Sequence, residues 1–462
     1  MSEHTFDAIV IGAGPAGEVC AGELADGGLR VAVVERELVA GECSYWACIP
    51  SKTLLRPGEA LAAARQAPGA REAIHGDLDA SQALGWRDFM VSDWDDSGQV
   101  SWLDDKGIEL LRGDGRVAGP GRVSVDGREY ETERIVIATG SETAFPPIDG
   151  LDGLEGVWTN REATGLKELP ESLLVLGGGP VGVEIAQALG RMGVAVTIVE
   201  GDERLLPREA PRVGGALAEA LRAEGIELRL GSLASAAERD GDGYVLRFDD
   251  RSELRGERLL VATGRSARLA GLGLENVGIE SADGALPVDE HLRAADGVWA
   301  IGDATGIMPF THVGKYQARI AARDVLGEEA RADYRAVPRV VFTDPQVAAV
   351  GEQERGVTGT VALSGVARTS TYTREYAERP GFLTLVSDGD KLTGAYAVGP
   401  EAGEWLQQAT LAIRAEVPLE VLRDTIQPFP TFSEAFVNAL SDLATQLEER
   451  GAPMLAGSRP GH

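Results

Sequence analysis

Two glycine-rich segments, 165 residues apart, constrain the fold of this 462-residue chain more than any other feature. The first, "FDAIVIGAGPAG" at 6–17, has the pattern of a buried strand, a tight turn and the start of a helix, and "SLLVLGGGPVG" at 172–182 repeats it. In each copy an acid, Glu35 or Glu200, ends the next strand-like run eighteen positions after the last glycine. A single GxGxxG is weak evidence, but two with matched flanks are strong evidence. The repeat therefore predicts two Rossmann-like units.

Each glycine of the repeat has the same physical role in both copies. The first allows the tight turn, the second lets the backbone approach a pyrophosphate, and the third lets the helix pack on the strand. The phosphates then lie at a helix N-terminus, and the acid accepts hydrogen bonds from a ribose diol. We therefore predict two dinucleotide sites, one on Gly12, Gly14, Gly17 and Glu35 and the other on Gly177, Gly179, Gly182 and Glu200.

The rest of the chain divides into regions with different sequence patterns. Two strand-like runs end in "ATG", at 134–141 and 258–265, and a third, at 297–305, ends in "GDAT". From about residue 336 no glycine fingerprint remains, and strand-like runs are followed by helical patterns. This region is predicted to be an α+β unit. The tail from Gly451 is predicted to be flexible.

Composition excludes several classes of function. The formal charge of −29 and a pI near 4.6 argue against a nucleic-acid partner, because phosphates would be repelled. No apolar run reaches the ~18–20 residues that a membrane span needs. The N-terminus carries neither the basic nor the apolar region of a secretory signal. We therefore expect no membrane partner and a cytoplasmic location, where thiols are normally reduced.

Two of the three cysteines, Cys43 and Cys48, lie together in "GECSYWACIPSK". As zinc ligands they would lack partners, since only Cys20 and five scattered histidines remain, so no metal site is predicted. Inert thiols would need no particular neighbours. A disulfide needs Cα atoms within ~4.4–6.8 Å, whereas a regular helix holds residues five apart at ~7.5 Å. Pro50 can loosen such a helix by removing a bond to the Trp46 carbonyl. The residues therefore allow a disulfide without requiring it.

The order of these motifs resembles the pyridine-nucleotide–disulfide oxidoreductases, which include dihydrolipoamide dehydrogenase, glutathione and mycothione reductases and mercuric reductase. The shared features are an FAD-type fingerprint, C-x4-C-x-P-S-K, an NAD-type fingerprint, "ATG", "GD" and a C-terminal "P-T-x-x-E". The resemblance extends to about residue 445. It implies an α/β fold with two Rossmann-like dinucleotide-binding domains and a C-terminal α+β dimerisation domain, assembled as a homodimer.

The resemblance also implies domain boundaries. The FAD domain is expected at 1–147 and 269–335, with the NAD(P) domain inserted at 148–268. The dimerisation domain is expected at 336–450, followed by the flexible tail at 451–462.

The resemblance implies the residues that bind each cofactor. FAD is expected against the first fingerprint, with Asp303 on its ribityl chain. The other FAD-binding residues implied are Gly115, Thr139, Gly140 and Thr311. The nicotinamide cofactor is expected against the second fingerprint and Gly264.

The same resemblance implies a redox-active disulfide between Cys43 and Cys48. Cys48 should exchange electrons with the isoalloxazine, while Cys43 should face the substrate. Lys52 and Glu184 should form an ion pair beside flavin N5.

The choice of nicotinamide can be argued from Glu200. A carboxylate suits two free ribose hydroxyls and would repel a 2′-phosphate, so NADH is favoured over NADPH. Arg204 lies close enough in sequence to keep NADPH open.

One residue departs from the family pattern. Disulfide-reducing members usually carry a histidine before "P-T", given by the partner subunit and paired with a downstream glutamate; here Phe429 takes its place, and Glu434 is left without that ring. A general acid or base contributes about 10²–10⁴-fold, so lipoamide dehydrogenation is put in doubt. Mercuric reductases also lack this histidine, but they carry a C-terminal cysteine pair that this chain does not have.

Two explanations remain open for the missing proton carrier. His312 or Tyr45 could supply the proton. Alternatively, the substrate's thiol has a low pKa and leaves as a thiolate unaided, as a heteroaryl thiol would. We therefore predict an NAD(P)H-dependent disulfide reductase acting on a small disulfide. The alternatives are a quinone reductase or diaphorase, and a dihydrolipoamide dehydrogenase subunit of a 2-oxo-acid complex.

Overall fold

The structure is a computed structural model that describes residues 4–281, 284–366 and 381–450. The tail predicted to be flexible, at 451–462, lies outside the described residues. Parallel strands alternate with helices through most of the chain, and an antiparallel sheet with helices follows. The fold is therefore α/β with a C-terminal α+β unit, as predicted.

The first part of the chain builds a parallel sheet and the helices around it. Its elements are β1 Thr5–Phe6, β2 Ala8–Ile11, α1 Pro15–Asp26, β3 Val31–Glu35, α2 Gly41–Tyr45, α3 Cys48–Gln66, α4 Ala80–Met90, α5 Ser97–Asp105, β4 Glu109–Arg112, β5 Gly115–Gly119, β6 Arg122–Val125, β7 Arg128–Thr132, β8 Ile135–Ile137 and β9 Ser141–Thr143. Strand β2 is buried along its whole length because alternate residues enter two cores: Ala8 and Val10 on one face, Ile9 and Ile11 on the other.

The second part repeats the strand, turn and helix arrangement. Its elements are α6 Asn160–Gly165, β10 Ser172–Leu176, α7 Pro180–Arg191, β11 Ala195–Val199, α8 Pro211–Ala223, β12 Glu227–Arg229, β13 Ala234–Asp240, β14 Gly243–Phe248, β15 Glu253–Gly256, β16 Arg258–Val261 and β17 Arg265–Ala267. The parallel sheet has the order β12-β11-β10-β16. Strand β17 pairs with β9 and so links this unit to the first.

The chain then returns to the first sheet. The elements of this segment are β18 Arg293–Ala295, β19 Val298–Ala300 and α9 Thr311–Val325. The completed sheet has the order β18-β19-β8-β2-β3-β4. Helix α9 packs along α1 in the same direction, because Gly314 approaches Ala16 at one end of the pair and Leu326 approaches Gly27 at the other.

The C-terminal unit is an antiparallel sheet covered by helices. Its elements are β20 Pro338–Val341, β21 Gln346–Gly351, β22 Val357–Ala362, β23 Phe382–Ser387, β24 Leu392–Gly399, α10 Ala402–Trp405, α11 Gln407–Arg414, α12 Leu419–Asp424 and α13 Ala435–Glu449. The strand order is β20-β21-β24-β23-β22. The sheet packs with α13 around Phe436, Leu440 and Leu443.

Candidate active site

The first glycine of each fingerprint can only be a glycine. Gly12 has φ +106°, and a Cβ there would lie 2.3 Å from the carbonyl oxygen of Ala138. Gly177 has φ +108°, and its Cβ would lie 2.4 Å from the carbonyl oxygen of Ala262. A side chain would collide with backbone in both places, so the two turns have the same physical cause.

The other two glycines of each trio have distinct roles. A Cβ on Gly17 would lie 1.9 Å from the Gly12 carbonyl oxygen, and one on Gly182 would lie 2.1 Å from that of Gly177, so both permit close helix packing. Gly14, by contrast, opens onto empty space as the N-cap of α1. Gly179 occupies the same place before α7. These open helix N-termini fit a pyrophosphate.

The two acids that follow the glycines hold equivalent positions. In each carboxylate, one oxygen accepts a hydrogen bond from the residue after the first glycine and the other from a residue two positions beyond the acid. The donors are the backbone N–H groups of Ala13 and Glu37 for Glu35, at 2.9 and 2.8 Å, and of Gly178 and Asp202 for Glu200, at 2.6 and 2.8 Å. The repeat seen in the sequence is therefore a repeat of geometry.

The fingerprints open into one continuous cleft of about 2660 Å³. Two residues in the cleft are open to a ligand. The Thr139 hydroxyl is buried and has no hydrogen-bond partner among the described residues, and Gly140, at φ +71°, faces open space. Asp303 lies at the carboxyl end of β19 and accepts a hydrogen bond from Ser141. These residues fit a bound dinucleotide. The predicted site residues that line the cleft are Gly12, Gly14, Glu35, Cys43, Cys48, Lys52, Gly115, Thr139, Gly140, Gly177, Gly179, Glu184, Glu200, Gly264, Asp303, Thr311 and His312.

The two cysteines of the close pair lie on different helices. Cys43 is inside α2 and Cys48 begins α3, because the backbone leaves the helical region at Trp46 (ψ 0°) and Ala47 (ψ −101°). Pro50 cannot donate to the Trp46 carbonyl, as the sequence predicts. A regular helix, which would hold the cysteines on different faces, is therefore avoided.

The second unit satisfies the carbonyl that this break leaves free. The Trp46 oxygen accepts hydrogen bonds from Asn160 Nδ2 at 2.8 Å and from Thr164 Oγ1 at 3.1 Å. Both donors lie on α6, and an unpaired buried carbonyl would be costly. The contact fixes the turn between the cysteines.

The Thr311 hydroxyl, at the start of α9, contacts both sulfurs of the cysteine pair. Its oxygen lies 3.1 Å from Cys43 Sγ and 3.4 Å from Cys48 Sγ. Both cysteines are free thiols in this structure. The pKa of Cys48 is lowered to about 6, chiefly by a hydrogen bond with Cys43 and also by the Thr311 hydroxyl and the positive charge of Lys52, while burial and the Glu184 carboxylate oppose this shift. The same hydrogen bond and burial raise the pKa of Cys43. Within the pair, the thiolate is therefore favoured at Cys48 and the proton at Cys43.

Lys52 and Glu184 form the ion pair that the resemblance implies. Lys52 Nζ lies 2.6 Å from Glu184 Oε2, and only 6 % of the glutamate side chain is exposed. Glu184 Oε1 accepts a hydrogen bond from the backbone N–H of Phe342 at 2.9 Å, and the Lys52 ammonium lies 4.8 Å from the centre of the Phe342 ring. The pair thus joins α3, α7 and the end of β20.

The structure separates the two candidate proton donors. His312 Nε2 lies 2.8 Å from the Pro338 carbonyl oxygen, so this nitrogen carries the proton, and burial lowers the pKa of the ring. Tyr45 instead lies in a buried cluster with Ala40 and Val91, and burial raises its pKa to about 12. Of the two, only His312 lines the cleft.

The C-terminal motif is not beside the thiols of the same chain. Phe429 is 73 % exposed, and Glu434 does not line the cleft. One carboxylate oxygen of Glu434 is buried without a hydrogen-bond partner among the described residues. Within one chain the structure therefore does not bring Glu434 together with Cys43 and Cys48.

The described residues place no three histidine, cysteine, aspartate or glutamate side chains close enough to hold a metal ion. Across the same ranges, no helix has the length and apolar character of a membrane span.

The cleft joins two glycine turns that each fit a dinucleotide, and it also contains a dithiol and an ion pair. This combination is typical of a flavoprotein oxidoreductase that transfers electrons through a cysteine pair. Two family models match the chain: "Pyridine nucleotide-disulphide oxidoreductase" over residues 6–318 and the dimerisation domain of that family over 337–440. The chain belongs to the pyridine nucleotide-disulphide oxidoreductases. It is thus an FAD-dependent enzyme with NAD(P)H as electron donor, and the dimerisation domain supports a homodimer.

Curated relatives and solved structures are similar over nearly the whole chain. A dihydrolipoyl dehydrogenase of Thermus scotoductus is 35% identical, with 96% of this chain and 98% of the relative covered. A mercuric reductase of Acidithiobacillus ferrooxidans is also 35% identical, with 92% and 80% covered. The structure of the HOCl-induced flavoprotein disulfide reductase RclA from Escherichia coli has a TM-score of 0.83 and 30% identity, with 94% of this chain and 99% of RclA covered.

Several contacts at the site were missed by sequence reasoning. Thr311 was predicted as a cofactor residue, but it also contacts both thiols. The hydrogen bonds from Asn160 and Thr164 to the Trp46 carbonyl join residues more than 110 positions apart, and no local sequence pattern predicts them. The free carbonyl opposite Pro50 was the one available signal.

Proposed function

We propose that this enzyme reduces a small disulfide with electrons from NADH, through FAD and the Cys43–Cys48 pair. The observation that carries the proposal is the dithiol itself. Both thiols lie within hydrogen-bond distance of the Thr311 hydroxyl, and the pKa of Cys48 is lowered to about 6. FAD, when bound, supplies the two-electron transfer between nicotinamide and disulfide. The chain's own residues hold the sulfurs in place and favour a thiolate at Cys48.

The proposed cofactor residues are those of the two glycine fingerprints together with residues that line the cleft. We assign FAD to Gly12, Gly14, Gly17, Glu35, Gly115, Thr139, Gly140, Asp303 and Thr311, and the nicotinamide cofactor to Gly177, Gly179, Gly182, Glu200 and Gly264. Sheet membership supports an FAD domain at 1–147 and 269–335 with the NAD domain inserted at 148–268, because β18 and β19 rejoin the first sheet. NADH is favoured because the Glu200 carboxylate, held by two backbone N–H groups, would repel a 2′-phosphate.

The proposed substrate is a disulfide whose thiol leaves readily, such as that of a heteroaryl thiol. Phe429 cannot carry a proton, Tyr45 is buried away from the cleft, and the protonated nitrogen of His312 is bound to a carbonyl. A leaving thiol of low pKa needs no general acid. Lipoamide, whose thiols are ordinary alkyl thiols, is therefore disfavoured.

A screen of disulfide acceptors under steady-state NADH oxidation tests the substrate class. We expect heteroaryl disulfides to exceed lipoamide and mycothione in kcat/KM. Faster oxidation with lipoamide or mycothione than with any heteroaryl disulfide would contradict this proposal.

A second candidate is a quinone reductase, and Phe429 is the observation that favours it. Quinones can take electrons directly from flavin and need no proton carrier at the thiols. Cys43→Ser separates the two functions, because quinone turnover should survive the change while disulfide turnover should not. Cys20→Ser is the matched control, since Cys20 is buried in the core away from the cleft.

A further inference from the structure

The turn between the two cysteines is held by a helix of the second unit. The Trp46 carbonyl in this turn has no helical donor, because Pro50 lacks an N–H. Asn160 Nδ2 and Thr164 Oγ1 donate to it instead, at 2.8 and 3.1 Å. Asn160 is 6 % exposed and Thr164 is fully buried, so water does not readily replace either donor when it is removed.

The Asn160 amide connects this turn to the proposed flavin site. Its Nδ2 also donates to Glu42 Oε2 on α2 at 3.1 Å, and its Oδ1 accepts a hydrogen bond from Arg265 Nη1 at 3.2 Å. Arg265 Nε in turn donates to the Ser141 hydroxyl at 2.7 Å, and that hydroxyl donates to the Asp303 carboxylate. A continuous chain of hydrogen bonds thus joins the turn between the cysteines to a residue that we assign to FAD.

Helix α6, which carries both donors, is fixed at each end. At its start, a capping box satisfies the backbone N–H of Thr159. The preceding residue, Trp158, pairs with strand β16 through backbone hydrogen bonds of 2.7 and 2.8 Å. At its end, the fully buried Arg87 guanidinium donates to the carbonyl oxygens of Thr164 and Leu166. The two donors therefore stand on a rigid support that belongs to the second parallel sheet.

We propose that Asn160 and Thr164 are positioning residues that set the equilibrium between the Cys43–Cys48 dithiol and its disulfide. The inference rests on the proposed function, because the pair must form a disulfide, and it deepens that function. It assigns to the second unit, where we place the nicotinamide cofactor, a role in the reactivity of the cysteine pair.

The physical reason is the entropy of closing the sulfur–sulfur bond. A disulfide needs a narrow range of distances and angles, so it restricts the turn by itself. In the dithiol, the contacts from α6 impose part of this restriction in advance, and closure then costs less conformational entropy. Without these contacts the dithiol gains freedom, and the equilibrium shifts from the disulfide toward the dithiol.

Thr164→Val tests the inference in the full-length holoenzyme, because valine has nearly the shape of threonine but no hydroxyl. The protein is equilibrated anaerobically with mixtures of reduced and oxidised dithiothreitol, and its thiols are trapped with iodoacetamide and counted by peptide mass spectrometry. Each pair that closes gives two electrons and two protons to oxidised dithiothreitol, whose own S–S bond opens. We expect the equilibrium constant for disulfide formation to fall about two- to tenfold, the range for one hydrogen bond.

Three further variants define the cause of the shift. Thr164→Ser keeps the hydroxyl, so its equilibrium constant should stay within about twofold of the wild type. Asn160→Leu removes both amide donors, so its shift should exceed that of Thr164→Val. Asn276→Leu is the matched control and should cause no shift: Asn276 also donates to a backbone carbonyl, that of Val117 at 2.9 Å, and neither residue lines the cleft.

The pH dependence of alkylation separates a positioning role from a purely structural one. The hydrogen bond between Cys43 and Cys48 lowers the pKa of Cys48 and depends on the same turn. The pH midpoint of Cys48 alkylation should therefore rise in Thr164→Val and Asn160→Leu, and it should stay low in Thr164→Ser.

Two results would overturn the inference. One is an equilibrium constant and an alkylation midpoint equal to those of the wild type in both Thr164→Val and Asn160→Leu, with flavin content intact. The other is a shift in Thr164→Ser as large as that in Thr164→Val, because packing rather than hydrogen bonding would then be the cause. Failure of the proposed function would look different, since the wild-type cysteines would then form no disulfide at any ratio of oxidised to reduced dithiothreitol.

Discussion

Lys52 is the charge whose removal should change the dithiol most directly. It forms a 2.6 Å ion pair with Glu184, and its charge helps to hold the pKa of Cys48 at about 6. Lys52→Met removes a cation that favours the thiolate, so the pKa of Cys48 should rise. Lys52 follows Cys48 by four positions on α3, and a nearby opposite charge shifts a pKa by about one unit or more, so we expect a rise of about one unit, to ~7.

The size of the effect depends on the pH of the measurement. With a pKa of about 6, half of Cys48 is thiolate at pH 6. A shift of one unit leaves about one-tenth as thiolate at that pH, so alkylation should slow about fivefold. At pH 8 both proteins would be almost fully ionised, and the difference should vanish.

The assay is alkylation of the reduced protein by iodoacetamide between pH 5 and 9, with peptide mass spectrometry resolving the two cysteines. Cys20 does not interfere, because burial raises its pKa to about 12. Lys52→Arg should keep the low pH midpoint of Cys48 alkylation. Lys106→Met, which removes a lysine paired with Asp26 at 2.7 Å, should not move that midpoint. A Cys48 midpoint in Lys52→Met equal to that of the wild type would refute the reasoning.

Three further predictions concern binding, catalysis and domain contacts. Gly179→Ala places a methyl group in the open space where we expect the NADH pyrophosphate to approach the backbone, so the KM for NADH should rise by about tenfold or more. Flavin content, measured by absorbance, should stay unchanged, and loss of flavin would contradict the assignment of the two dinucleotide sites. Phe429→His supplies an imidazole, and if it reaches the partner's dithiol as the family resemblance implies, lipoamide turnover should rise at least ~10-fold; no gain would count against that placement. Arg191→Met removes a salt bridge of 2.7 Å to Asp344, whose side chain is 6 % exposed, and should lower the free energy of unfolding by about 3 kcal/mol. Denaturant titration measures this loss, and a value below ~0.5 kcal/mol would show that the salt bridge contributes little to stability.

Much of the fold could be predicted because its signals are local and repeated. Gly12 and Gly177 are required by backbone collisions that recur after 165 residues, and strands such as β2 are apolar along their whole length. The α/β class and the C-terminal α+β unit were predicted correctly for this reason. The Lys52–Glu184 pair followed from the family resemblance rather than from spacing.

The parts of the site that could not be predicted depend on contacts between distant segments. Thr311 reaches the thiols from 263 residues beyond Cys48, and its role is set by how α9 packs on α1. Helix packing, which a single sequence does not reveal, brings Thr311 to the two cysteines.

Anaerobic titration with NADH tests the central claim most directly, by following flavin absorbance and free thiols together. If the bond between Cys43 and Cys48 is the route to the acceptor, the first two electrons should release two thiols and produce a long-wavelength thiolate–flavin band, with the flavin still largely oxidised. Complete bleaching of the flavin by the first two electrons, with no new thiols and no such band, would contradict the account.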